Sequence, residues 1–421
     1  MQAKPLMRVP DFQKLFLSAS TAQLGAQVTL LALPLVAILV LHASAMQVGI
    51  LAALGTLPYL LVGLPAGALL EHARLKRVLA WSALGRTLVL GSVPLLWALH
   101  EIDIGILDAI AVVVGLMSTF YDIAWQSYLP SLVGTPRLHE ASSRLTIASS
   151  GAQLFGPGVA GFLIHALSAP FALLADALGF AVAATSVHSI KAEEPPVVDQ
   201  LEEPGMARRV AEGLLYVTRH ELLRWIAVGT GAWNFVGTSL NVVLVLFEAR
   251  TLHYSAGTIG LVFFLGNIGY AIGAPMVRRV TARLGVGRTM LLGATLGGLG
   301  PVLLPMARPE DAMGILVAGW FFRALGSPLY TVNQISLRLA ITPAELTARM
   351  TATMKFFVMG AMPLGSFFGG ALAGALGYRP TLWLIAAVGA TSVLATGLSK
   401  LRLLSDPPEK LRPGAVALRQ V

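Results

Sequence analysis

Three ionisable side chains stand inside stretches that are otherwise almost wholly apolar: Asp122 in TFYDIAW, Asp176 in ALLADALGF and Arg323 in GWFFRALGS. An ionised group at the centre of a lipid bilayer costs about 2.5–3.5 kcal/mol on insertion scales, so it must find a wet cavity, a partner or a proton. Asp122 therefore suits reversible protonation or contact with a polar group on a solute. The plainer alternative is a structural hydrogen bond, to Gln126 one turn on or to a basic loop residue. Arg323 suits an anionic group on a ligand, or an ion pair tying two helices together. Asp176 is a candidate for the same coupling or substrate work, with a structural role as its alternative. Arg86 lies near enough to the basic segment 74–77 to snorkel towards that side.

Other chemistries lack their residues. There is no cysteine, which excludes disulfides and thiolate metal sites. The pairs His100-Glu101, His139-Glu140 and His220-Glu221 all lack the second His of a zinc-protease motif. Neither a G-x-S-x-G nor a GK dipeptide occurs, so no hydrolase elbow and no Walker loop is present. Gly156-Pro157-Gly158-Val159-Ala160-Gly161 fits G-x-G-x-x-G formally, but it lies inside an apolar run with no strand before it. No catalytic residue, metal or cofactor is expected.

The elements that position these residues must be solvated by lipid. Hydrophobic residues make up 56% and charged residues 12% of the 421, and the mean hydropathy is +0.74. Soluble domains carry about 25% charged residues. Apolar runs near the roughly 20 residues that span a bilayer lie at about 15–41, 45–70, 78–99, 103–129, 145–167, 169–190, 222–248, 256–277, 287–307, 311–337, 350–376 and 378–399. The expectation is an all-α membrane protein of twelve transmembrane helices. Ten-residue alternation, the mark of a strand barrel, is absent. The closest splits fall at Ser168-Ala169-Pro170 and at Gly377. His42-Ala43-Ser44-Ala45 resembles a signal-cleavage site, but the run before it exceeds a signal h-region, so it reads as an uncleaved first span.

Charge orients the spans. With both termini cytoplasmic, only Arg250, Arg308 and Arg379 fall outside, and only Arg86 and Arg323 within spans; the remainder of the 30 Lys and Arg lie inside. That bias is what the positive-inside rule requires, so the net charge of +9 reads as topology rather than nucleic-acid binding. The chain also repeats. Gly67 before one basic loop recurs as Gly273 before another, at an offset of 206. Pro136, Arg144 and Pro157 recur as Pro343, Arg349 and Pro363, at offsets of 207, 205 and 206. A shared offset implies duplication: a six-helix bundle over 1–190, a cytoplasmic linker with a short amphipathic helix over 191–221, a second bundle over 222–400, and a cytoplasmic tail over 401–421. Two matched bundles around a midplane site are a common transporter architecture.

The segments Tyr121–Val133 (YDIAWQSYLPSLV), Ala169-Pro170-Phe171 with Asp176-Ala177-Leu178, Asn333–Arg338 (NQISLR) and Pro363-Leu364-Gly365 together resemble the major facilitator superfamily. Within it they are most similar to the third drug:proton antiporter family, which includes macrolide-efflux, enterobactin-export and transmembrane secretion effector proteins. In the loop Gly67–Arg77, with Arg74 and Arg77, the superfamily pattern carries Asp then Arg where this chain has Glu71 and His72. Gly156, Pro157 and Gly161 are similar to the antiporter motif of the fifth span. Small residues there allow close helix approach and proline bends the helix, giving a seal and rocking element; pure packing is the alternative. The resemblance implies a cavity lined by spans one, four, seven and ten. Arg323 would then face Asp122 across it, with Gln27, Trp125, Gln126, Asn234, Asn241, Asn333 and Gln334 as lining, and Trp233 and Trp320 as further aromatic surface. It implies a monomeric, multi-pass transporter of the bacterial inner membrane, exporting amphipathic drug-, macrolide- or siderophore-like molecules by alternating access and driven by the proton gradient alone. Its partners would be the small solute and the lipid bilayer. Proton-coupled uptake of a nutrient is the nearer alternative. A non-transporting sensor or scaffold, which would need a large cytoplasmic domain, is the more distant one.

Overall fold

A computed structural model of the chain describes residues 6–63, 66, 70, 73–191 and 206–404. In lipid every backbone polar group must be satisfied within the protein, which leaves the helix as the natural spanning element for these runs. Among the described residues the α-helices are α1 (Pro10–Leu35), α2 (Ala45–Leu61), α3 (Leu75–Ala98), α4 (Ile104–Val133), α5 (Leu138–Leu167), α6 (Ala169–His188), α7 (Met206–Arg219), α8 (Glu221–Arg250), α9 (Ala256–Leu284), α10 (Val286–Leu303), α11 (Ala312–Ile341), α12 (Ala344–Leu376) and α13 (Tyr378–Gly397). Eleven are long and apolar enough to cross a membrane, and α2 is a shorter apolar helix.

Local chemistry sets the boundaries. Pro10 opens α1 at a position where its missing N–H costs nothing. Pro34 and a π-turn over Val36–Val40 bend its far end. Ser44 and Gln47 form a capping box at the start of α2, and Asp103 accepts from the Ile106 amide at 2.8 Å to start α4. The two pairs of abutting spans expected from sequence are each joined by a single residue. Ser168 (φ 78°) links α5 to α6, and Gly377 (φ 86°) links α12 to α13. Glycine adopts that left-handed region freely; Ser168 is strained there.

The chain forms two compact units, Met1–Leu201 with Glu248–Phe264, and Glu202–Phe247 with Leu265–Val421. The end of α8, the start of α9 and the turn between them thus belong with the first unit. In that unit α1 packs on α5 and α6, and α3 on α4 and α6, around Phe12, Leu15, Leu79, Tyr121, Tyr128 and Phe180. In the second, α10 packs on α11 and α13, and α7 lies on α12, around Leu223, Met290, Tyr330, Leu337 and Met354. Trp81, Leu88, Phe162 and Leu178 are each more than 60% exposed, the apolar exterior that a lipid solvent permits.

Candidate functional site

The polar interior of the first unit is built on α4. Asp122 accepts a 2.5 Å hydrogen bond from the Tyr59 hydroxyl on α2, and is half-buried. Ser118 lies one turn away on the same helix, at the i,i+4 spacing that shares a face. Its hydroxyl donates to the Val114 carbonyl at 2.7 Å and accepts from Arg86 on α3. Arg86 then donates to Asp176 Oδ2 on α6 at 2.7 Å, and its guanidinium lies 4.2 Å over the Phe180 ring. The hydroxyl of Thr29 on α1 completes the cluster by donating to the same Asp176 oxygen. Four helices therefore meet through one buried ion pair, and Arg86 remains within electrostatic reach of Tyr59 and Tyr121.

This overturns one expectation. Arg86 is 5% exposed and does not snorkel; its charge is held inward by a carboxylate that is 0% exposed. Flanking apolar residues signalled the depth of Arg86, but its partner lies 90 residues away and is invisible to local reading. Tyr59, Ser118 and Thr29 were missed for the same reason, since a lone hydroxyl in an apolar run carries no pattern.

Around Gly156, Pro157 and Gly161 the helix α5 shows two packed faces. A Cβ on Gly156 would sit 2.6 Å from Gln27 Cγ on α1. A Cβ on Gly161 would sit 2.7 Å from the Gly260 Cα and 2.8 Å from the Ala256 carbonyl oxygen on α9. One Cβ on Gly260 would lie 2.6 Å from the Pro157 carbonyl, and Phe155 and Phe264 meet at 5.9 Å between ring centroids. Gln27 thus packs against α5. Trp125 is half-buried and Gln126 exposed on α4. Arg74 and Arg77 are exposed at the start of α3, and Gly67 and Glu71 lie outside the described residues.

In the second unit Arg323 on α11 lies 4.9 Å over the Trp233 ring and donates to the Trp233 carbonyl at 3.4 Å. Among the described residues no carboxylate forms an ion pair with it. Trp233 stacks in turn on Tyr330 at 5.4 Å. Asn333 is buried and accepts from Thr281 on α9 at 3.1 Å, while Gln334 is buried beside it with Oε1 unpaired among the described residues. Asn234 donates to the Thr230 carbonyl of its own helix at 2.8 Å, and Asn241 is half-buried. Trp320 donates to Asn267 at 3.0 Å. Gly273 lets α9 approach α11, since its Cβ would meet Pro328 Cγ at 2.9 Å. Pro363 is buried within α12, and Arg349 on that helix pairs with Glu212 of α7 at 2.6 Å. Asp122 and Arg323 belong to different units, each with local partners.

The sequence model of the Major Facilitator Superfamily matches residues 15–247 and again 231–420. The chain is a member of that superfamily. Its members are transporters and not enzymes, so this multi-pass membrane protein moves a small molecule through lipid. Over 414 residues it is 28% identical to the multidrug efflux pump Tap of Mycolicibacterium fortuitum, covering 93% of this chain and 97% of that protein. Its fold is similar to a bacterial homologue of the iron transporter ferroportin in an inward-facing state, at TM-score 0.77 and 14% identity, covering 95% of this chain and all (100%) of that one. It is also similar to the nucleoside transporter NupG, at TM-score 0.70 and 11% identity, covering 92% and 98%. At these identities the likeness concerns fold alone.

Proposed function

We propose that this superfamily member is a proton-coupled exporter of amphipathic small molecules. The observation that carries the reading is the Asp122–Tyr59 pair: a titratable carboxylate inside a spanning helix, half-buried and held by a hydroxyl. A carboxylate so placed can take and release a proton without leaving its helix, and Tyr59 can donate to it when it is ionised. Inward movement of one proton supplies about 2.3 kcal/mol per 100 mV. The resemblance to a multidrug efflux pump over nearly the whole chain supports export.

In this reading twelve spans leave both termini in the cytoplasm of a bacterial inner membrane. The bundles over 1–190 and 222–400, joined by 191–221, alternate access as a monomer, with the proton gradient in place of any cofactor and no nucleic-acid partner. Macrolides and siderophore-like solutes fit the substrate class, and Arg323 over Trp233 is the natural seat for an anionic or aromatic group on them. The test is accumulation of ethidium and a panel of antibiotics in an efflux-deficient bacterium. Expression should lower accumulation, an uncoupler should restore it, and Asp122→Asn should abolish the effect with the protein still in the membrane. Raised accumulation would mean uptake, and wild-type drive in Asp122→Asn would remove that residue from coupling.

A further inference from the structure

Among the described residues the acid at the far end of α8 has no side-chain partner. Glu248 is 0% exposed, and neither of its carboxylate oxygens meets a hydrogen-bond partner among the described residues. No ion pair among those residues includes it. The preceding residues of the helix, Val242 to Phe247, are buried on every side, so α8 is encased here rather than lipid-facing. Arg250, two positions on, turns away and donates to the Ala43 carbonyl in the α1–α2 junction. The turn folds back tightly, with the Tyr254 amide donating to the Glu248 carbonyl at 2.9 Å. Burial holds the Tyr254 phenol above its ordinary range. Other titratable or charged groups placed near this end are His253 in the turn, His42 in the α1–α2 junction, His165 on α5 against Gly257, and Arg379 of α13, whose guanidinium lies 5.8 Å from the centroid of the Phe247 ring.

An ionised carboxylate in this setting loses its hydration and receives neither a cation nor a donor in return, so the group takes up a proton instead. We propose that Glu248 is a proton-binding site that locks the 248–264 segment in its packed state. The carboxyl is neutral while the segment lies against α5, and ionised once water reaches it. The packed state holds one proton that the hydrated state releases. Packing is therefore favoured at low pH and lost as pH rises, by up to about tenfold in the packed-to-open ratio per pH unit. The direction of the consequence rests on the topology and export reading above. This end would face outside, the acidic side of an energised membrane, so external protons would close it and return the transporter to face the cytoplasm, where an exporter loads.

The chain has no native cysteine, which allows single-cysteine reporters. Ala256 is buried under α5, and Thr251 is exposed in the turn. The test is the rate at which an impermeant maleimide labels Ala256→Cys, divided by the rate for Thr251→Cys at the same pH, in reconstituted vesicles between about pH 5.5 and 8. The quotient removes the reagent's own pH dependence. It should rise several-fold with pH in the Glu248 protein and stay low and flat in Glu248→Gln. Every other titratable group is retained in that variant, so a slope that survives it belongs to one of them and overturns the proposal. High labelling of Glu248→Gln at pH 5.5 would also overturn it, because it would mean the carboxylate was held as an ion. Should that variant fail to insert, Glu248→Leu is expected to behave alike, and a flat quotient in the parent refutes the proposal without any variant. Uncoupler-sensitive efflux with a flat quotient would sink this inference alone; a Glu248-dependent slope without such efflux would sink the export reading alone.

Discussion

The Arg86–Asp176 pair makes the most quantitative prediction. Its charges approach to 2.7 Å with side chains 6% and 0% exposed. At an effective dielectric of about 20 this gives a gross attraction of about 6 kcal/mol, much of it offset by the hydration both ions lose. The net value of the pair is therefore small, while the value of keeping both members is large. Arg86→Met alone leaves Asp176, among the described residues, with Thr29 as its one side-chain hydrogen-bond partner, and Asp176→Leu alone leaves a guanidinium over Phe180 and Ser118. Each single variant should lose about 3–5 kcal/mol. The double variant, which removes both charges and keeps apolar bulk, should lie within about 1.5 kcal/mol of the parent. Reversible denaturant unfolding of the protein in mixed micelles measures the full cycle, and the coupling between the two sites should be at least about 4.5 kcal/mol. Additive losses would refute the reasoning, as would single variants of parental stability. Asp176→Asn with parental stability and no proton-driven transport would instead make Asp176 a coupling residue rather than a tie between helices.

Three further outcomes follow. Gly161→Val should insert normally yet lose most transport, because its Cβ meets backbone of Gly260 and Ala256 that cannot turn aside; transport at the parental rate would show that α5 and α9 need not approach. Arg323→Met should weaken efflux of anionic substrates by about tenfold or more while Arg323→Lys keeps part of it, and equal loss for cationic dyes would exclude a charge-reading role. His220, whose pKa burial lowers against a smaller opposing effect of Glu221, caps α8 by accepting from the Leu222 and Leu223 amides at 3.3 and 3.4 Å. A folded value below the unfolded one means the cap is intact above about pH 6.5 and lost as pH falls below it, so hydrogen exchange at those amides should accelerate beyond its intrinsic trend in acid, and His220→Asn should abolish that pH response.

Residue types alone determined much of this protein. Low charge, apolar runs of spanning length and the placement of Lys and Arg are one-dimensional properties, because a bilayer sorts side chains by depth along the chain normal. The repeated glycines, prolines and arginines near an offset of 206 are likewise visible without coordinates, as is the exposure of Asp122 and Arg323 to the cost of an apolar setting. Tertiary structure alone decided how each charge is compensated. Arg86 meets Asp176, Asp122 meets Tyr59, and Arg323 rests on Trp233, over separations of 90, 63 and 90 residues. Glu248 shows the other direction: packing buries it completely, and among the described residues neither carboxylate oxygen meets a hydrogen-bond partner. A sequence records which groups must be neutralised in lipid; only the crossing of distant helices determines whether a counter-ion, a hydroxyl or a proton does so.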